Sequence, residues 1–201
     1  MKYSPLLEAF IDALRCLPGV GPKSAQRMAF HLLERGRTKG LQLAQTLTKA
    51  LENIQHCEQC RNFSETAKCG ICSDPKRDPT SICIVETPAD VATLEQAHLF
   101  RGHYFVLMGH LSPIDGIGPD NLGLPLLHAQ CKQGNIQEII LATNTTIEGE
   151  ATAHYISEMA KRLNIPTSRI AHGVPLGGEL VYMDPNTLTH AFNRRERYSS
   201  C

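Results

Sequence analysis

No stretch of the 201-residue sequence approaches the roughly 20 consecutive apolar residues of a membrane-spanning helix, which excludes a transmembrane helix. Nor does it open like a signal peptide: Met1-Lys2-Tyr3-Ser4-Pro5-Leu6-Leu7-Glu8 reaches an acidic residue too early, and a cytoplasmic location with no membrane partner is the expectation. Low-complexity segments and clear internal repeats are lacking. So is a net charge, since 20 Lys and Arg balance 20 Asp and Glu. The chain is 42% apolar and 20% charged, a composition that packs and argues against global disorder. Its length suits one large domain or two to three small modules.

The balanced charge conceals a gradient. Residues 1–54 hold eight Lys or Arg against four Asp or Glu, whereas residues 81–180 hold five against ten. A basic head and an acidic body point to different partners for the two halves, because charge attracts polyanions only where it is concentrated. Charge alone fits an ordinary solvated surface equally well, so the decision falls to motifs.

Helical spacing dominates up to about residue 55. Leu6, Leu7, Phe10, Ile11 and Leu14 predict one helix behind Ser4-Pro5, and Ala25, Met28, Ala29, Leu32 and Leu33 predict a second from about Pro22 to Glu34. A third, after Gly36 and Gly40, carries Leu41, Ala44, Leu47, Ala50, Leu51 and Ile54. From residue 81 the pattern changes. Apolar strands at 81–85, 104–108 and 138–142 alternate with helices at 88–98, 120–132 and 148–163, which predicts a mostly parallel sheet flanked by helices. The end of the chain holds a short apolar run, Leu180 to Met183, and a basic cluster of Arg194, Arg195 and Arg197.

Leu17-Pro18-Gly19-Val20-Gly21-Pro22-Lys23-Ser24 joins the first two helices. Glycines let backbone amides approach a ligand, and the following helix start adds unpaired N–H groups and a positive dipole end. Lys23 and Arg27, four residues apart, flank that point. This is the helix-hairpin-helix pattern, which grips nucleic-acid backbone without reading bases, and Gly19, Gly21, Lys23 and Arg27 are its candidate DNA contacts. A nucleotide P-loop is excluded because Pro22, which has no N–H, precedes the lysine. A purely structural αα-hairpin is the competing reading.

Cys57-x2-Cys60 and Cys69-x2-Cys72 supply four thiolates at the spacing of a tetrahedral zinc site. The intervening residues are polar and turn-forming, with almost no apolar core, so the segment needs a metal staple to fold. One structural zinc per chain is expected, with no open coordination position for catalysis. A redox Cys-x-x-Cys would use one pair and leave the other unexplained. Cys16, Cys83, Cys131 and Cys201 are scattered and read as packing or tail residues.

Glu86 closes the first apolar strand and Asp90 follows one helical turn later. The third strand leads into Ala142-Thr143-Asn144-Thr145-Thr146 and then Glu148-Gly149-Glu150. Ligands of open α/β sheets gather at the carboxyl ends of strands, and carboxylates converging there suit Mg²⁺. His110 and His172 read as loop or packing histidines, since nothing nucleophilic pairs with them. Leu180 to Asp184 has the form of a Walker B strand, but without a Walker A sequence it reads as a sheet or interface strand.

Over essentially its whole length the chain resembles the bacterial recombination mediator family RecR. The residues that carry the likeness are Leu17 to Gln26, the four clustered cysteines, Ile84-Val85-Glu86 with Pro88-Ala89-Asp90, and Gly109-His110-Leu111-Ser112-Pro113. Asp115-Gly116-Ile117-Gly118-Pro119, Ala142-Thr143-Asn144, Glu148-Gly149-Glu150-Ala151-Thr152 and the stretch from Ala171 to Leu180 complete it. The resemblance implies an α/β multi-module chain: helix-hairpin-helix at 1–55, a four-cysteine zinc module at 56–78, a Toprim domain at 79–175, and a C-terminal strand or helix at 176–201 making an oligomer contact. It also implies a ring-shaped tetramer, RecO and RecF as partners, and help in loading RecA on gapped DNA. Catalytic Toprim enzymes carry an acidic D-x-D after the third strand, and here Asn144 and Thr146 stand in those places. Losing up to two charges there implies weak Mg²⁺ binding or none, no phosphoryl transfer, and use of Glu86, Asp90, Glu148 and Glu150 as a docking surface. The rival expectation is a Mg²⁺-dependent nuclease or primase built on those same four acids.

Overall fold

The chain divides where its patterning changes. The computed structural model describes residues 3–171, 173–175, 177–193 and 195, and they form two compact units, Met1–Gln55 and His56–Cys201. The first is three helices: α1 (Pro5–Leu14), α2 (Pro22–Glu34) and α3 (Arg37–Asn53). Pro5 and Pro22 each occupy a first turn, where the missing N–H costs nothing. Ala25 and Ala29 are fully buried, and their small side chains let α2 lie close to its neighbours. α3 begins at Arg37 and carries Gly40 inside it. So small a unit cannot cover every apolar stripe. Leu41 and Leu51 on α3 stay 68% and 76% exposed, and a groove of about 560 Å³ opens among Phe10, Leu14, Leu33, Leu43 and Leu47.

In the second unit, β1 (Gln55–His56), β2 (Phe63–Ser64) and α4 (Gly70–Ser73) surround the four cysteines. There follow β3 (Asp78–Val85), α5 (Pro88–Gln96), β4 (Gly102–Val106), α6 (Leu124–Lys132), β5 (Glu138–Ala142), α7 (Ile147–Lys161) and β6 (Thr167–Arg169). The last four strands form a parallel sheet in the order β4-β3-β5-β6, with Val85 level with Val106 on one side and Ala142 on the other. Helices α6 and α7 cover one face, packing Leu127, Ile156 and Ala160 against Ile84, Phe105 and Ile139. On the other face, Val91 of α5 and Ile71 of the cysteine module pack with Val85, Tyr104 and Val106. The predicted covering of a parallel sheet on both faces is therefore present, with Ile71 as the module's apolar anchor.

Several predicted boundaries move for local reasons. β4 ends at Val106 because Met108 takes a φ of 62° and Gly109 one of 142°, which no strand accommodates. α6 starts at Leu124, not near Asp120, because its N-cap Gly123 is left-handed. The run Leu180 to Met183, read as a strand, is a single 3-10 turn over Leu180–Tyr182, exposed throughout, and α8 (Pro185–Asn193) follows. Asp184 ends that run as a helix cap: its Oδ1 accepts from the amides of Asn186 and Thr187 at 3.0 Å each. Its carboxyl is held below the usual range by the Thr187 hydroxyl.

Candidate functional site

The bend between α1 and α2 is tight and open. Val20 N–H donates to the Leu17 carbonyl at 3.1 Å, Gly19 takes a φ of 77°, and Gly21 is the N-cap of α2. A side chain added at Gly19 or Gly21 would meet nothing within 4 Å, so the backbone there faces open space. Gly21 brings no capping side chain, and Pro22 has no N–H. The amides of Lys23 and Ser24 are thus first-turn donors with no intrahelical acceptor. Lys23 and Arg27 are exposed on the face away from Ala25 and Ala29. Two amides without intrahelical acceptors, a positive helix end and two exposed cations are thus gathered around one open bend, a grouping whose chemistry suits an anion.

The four cysteines come together as expected. Their sulfurs all lie within 4.8 Å of one another, and Cys60 Sγ is 3.5 Å from Cys69 Sγ. Zinc–sulfur bonds of about 2.3 Å in a tetrahedron set sulfurs ~3.8 Å apart, so the group fits the ion. Cys57, Cys60 and Cys69 are buried, and Cys69 N–H donates to Cys57 Sγ at 3.3 Å. The hydrogen bond from Cys72 pulls the Cys60 thiol down to about 5, and that same bond pushes Cys72 up, while burial raises Cys69.

Arg61, between the two cysteine pairs, carries no signal in the sequence beyond a loop charge. In the structure it ties the module to the sheet. Its Nη1 donates to the carbonyls of Leu107, at 3.1 Å, and of Leu122, and its Nη2 donates to Asn121 O at 3.1 Å. The guanidinium lies 5.9 Å from the centre of the Phe105 ring. Any side chain at Gly123 would strike it. Arg61 itself sits at a φ of 63°, a strained value held by these bonds. Two more bonds fasten the module: Val106 N–H to Cys60 O at 2.8 Å and Gln130 Nε2 to Gln59 O at 2.7 Å.

At the carboxyl ends of β3 and β5 the four acids do not form the expected cluster. Glu86 is 3% exposed, and both of its oxygens are engaged by Asn144: Oε1 accepts the backbone N–H at 2.8 Å and Oε2 the side-chain amide at 2.7 Å. His110 Nδ1 stands 3.5 Å from Oε2. Asp90 turns away into a capping box, its Oδ2 accepting from Thr87 N–H at 2.8 Å. Glu150 pairs with Arg169, and Glu148 is exposed. Thr146 caps α7 by accepting from Gly149 N–H at 3.1 Å. Gly149 is required there, since a Cβ would collide with the Asn144 carbonyl and press on Glu86. So Asn144 and Thr146, the residues that replace the acidic pair, each hold a structural hydrogen bond. Among the described residues only the four cysteines form a group that could hold a metal ion.

Of the remaining candidates, Arg195 lies with its guanidinium 5.1 Å from the centre of the Phe192 ring. His172, Arg194 and Arg197 fall outside the described residues.

Comparison with known proteins gives four matches in chain order. Residues 7–51 match the helix-hairpin-helix model of RecR, residues 54–74 its four-cysteine zinc finger domain, residues 80–171 a Toprim domain, and residues 173–196 the RecR C-terminal model. With the finger match and the sulfur geometry together, the cysteine cluster is a site for one structural zinc.

Proposed function

The chain belongs to the RecR family, and on that premise we propose that it serves recombinational DNA repair as a scaffold that holds DNA and neither cuts nor copies it. The observation that carries this reading is the open bend of α1 and α2. Gly19 and Gly21 leave its backbone accessible, two amides lack acceptors, and Lys23 and Arg27 stand exposed beside them. Such a site takes phosphate oxygens and no base edges, so binding is independent of sequence and falls with salt.

Two further parts of the reading rest on the family likeness and on the second unit. The absence of phosphoryl transfer is supported by Glu86, whose carboxylate is occupied by Asn144, and by Asp90, which is spent on a helix cap. The exposed acid Glu148, with the rest of this edge, then serves as a docking surface for RecO or RecF, and the outcome is loading of RecA on gapped DNA. The bare leucines of α3 and the exposed Leu180, Val181, Tyr182 and Phe192 support self-association, which we assign to a ring-shaped tetramer.

The test is a Lys23→Glu, Arg27→Glu double variant that keeps its fold. Loss of salt-sensitive DNA binding supports the hairpin assignment, and unaltered binding overturns it. Incubation with labelled DNA and Mg²⁺ or Mn²⁺ tests the scaffold claim. Turnover that disappears in Glu86→Gln would establish a Toprim enzyme instead.

A further inference from the structure

The basic side chains of α2 do not stop at Arg27. His31 and Arg35 follow at the same four-residue spacing, and the strip from Lys23 to Arg35 rises about 18 Å along the helix. All four side chains are exposed, and among the described residues none enters an ion pair. Beside the strip stands an aromatic pair. Tyr3 and Phe30 meet edge to face with ring centres 5.6 Å apart, and Gln26 Nε2 donates to Tyr3 Oη. The strip, Gln26 and Phe30 line an open groove of about 520 Å³ in which Glu34 is the one acid. At roughly 100° per residue, this groove faces away from buried Ala25 and Ala29.

Phosphates alone do not need aromatic rings. A duplex keeps its bases stacked inside and offers such a groove only its backbone. An unpaired strand brings free base faces as well, and cations tracking the backbone beside aromatic rings are the arrangement that holds single strands. We propose that the outer face of α2 binds single-stranded nucleic acid: Lys23, Arg27, His31 and Arg35 follow the phosphates, and the Tyr3–Phe30 pair stacks on a base. The inference rests on the hairpin reading above and adds to it a preference for unpaired strands, together with four residues that the hairpin motif does not include.

The experiment uses the full-length, zinc-loaded protein and fluorescence anisotropy. The probes are a labelled thymidine oligonucleotide and a labelled blunt duplex of equal length, titrated from about 50 to about 200 mM salt. Tyr3→Leu with Phe30→Leu keeps an apolar side chain at both positions and removes the rings. Single-strand affinity is expected to fall about tenfold, equivalent to roughly 1.4 kcal/mol, with duplex affinity and both salt slopes unchanged. Arg35→Gln is expected to lower the single-strand salt slope by about 0.7. If the double leucine variant melts early, Tyr3→Leu alone is decisive, because Tyr3 is 37% exposed and lies outside the three helices. An unchanged ratio of single-strand to duplex affinity refutes the inference. If Lys23→Glu, Arg27→Glu still abolishes binding in that case, the hairpin reading survives without it. If that charge reversal leaves binding intact, the hairpin reading itself is what failed.

Discussion

Replacing Arg61 with alanine tests whether the zinc module and the sheet are one mechanical piece. The substitution removes three charged donors from the carbonyls of Leu107, Asn121 and Leu122. Hydrogen bonds to charged groups contribute roughly 1.5–3 kcal/mol each. Burial already disfavours the charged guanidinium and lowers its pKa, which offsets part of that sum. The carbonyls left behind and the space beside Phe105 add to the loss, and a net destabilisation of about 3 kcal/mol follows. In a unit of this size that corresponds to roughly a 10 °C fall in melting temperature. Arg61→Lys recovers no more than about a third, since an ammonium reaches one carbonyl where the fork reached three. Arg61→Gly separates side chain from backbone: it relieves the strain at φ 63° and is more stable than the alanine variant by about 1 kcal/mol, roughly 3 °C in melting temperature. Scanning calorimetry of zinc-saturated protein reads all three. An alanine variant within about 2 °C of the parent, or a glycine variant below the alanine one, contradicts this role for the guanidinium.

Three other outcomes are expected. Cys57→Ser loses the zinc, and elemental analysis of the parent gives one ion per chain; a folded, protease-resistant variant with no metal would show that the staple is dispensable. Asn144→Asp sets a second carboxylate against Glu86 where an amide now donates at 2.7 Å, and it destabilises by about 2 kcal/mol at neutral pH, partly recovered by Mg²⁺ or by acid in a thermal melt. Glu95 of α5 is held below the usual carboxylate range by its bonds to Arg77, just before β3, and to the Tyr104 hydroxyl of β4. Its stabilising contribution is therefore present above the unfolded-state pKa of about 4.3 and disappears as pH falls through the lower folded-state value. Glu95→Gln flattens that part of the acid-unfolding curve, and an unchanged curve would contradict the assignment.

What is legible in the sequence has a period or a spacing. The bounds of α2, the strand cores around Val85, Val106 and Leu141, and the four-cysteine group all follow from repeats of 3.6, from apolar runs, or from Cys-x2-Cys. What is not legible depends on neighbours far along the chain. Arg61 reads as a solvated loop residue until carbonyls some 46 to 61 positions away surround it. β6 is three polar residues and becomes a strand only because β5 offers it an edge. Glu86, Asp90 and Glu150 share one end of the sheet in the sequence pattern, yet local chemistry disperses them: Thr87 captures Asp90, Arg169 captures Glu150, and Asn144 turns its own amide onto Glu86. Proximity in the topology sets which groups can meet, and competing hydrogen bonds decide which do.

The functional reading stands or falls with the bend at Gly19–Lys23 as the holder of the sugar-phosphate backbone. The decisive measurement is the slope of log affinity against log salt for a labelled oligonucleotide, taken for the parent chain and for Lys23→Glu, Arg27→Glu. A clear negative slope is expected for the parent, and binding by the variant too weak to titrate at about 200 mM salt, with an unchanged melting temperature. Equal affinities and equal slopes for the two proteins would place the DNA elsewhere on the molecule.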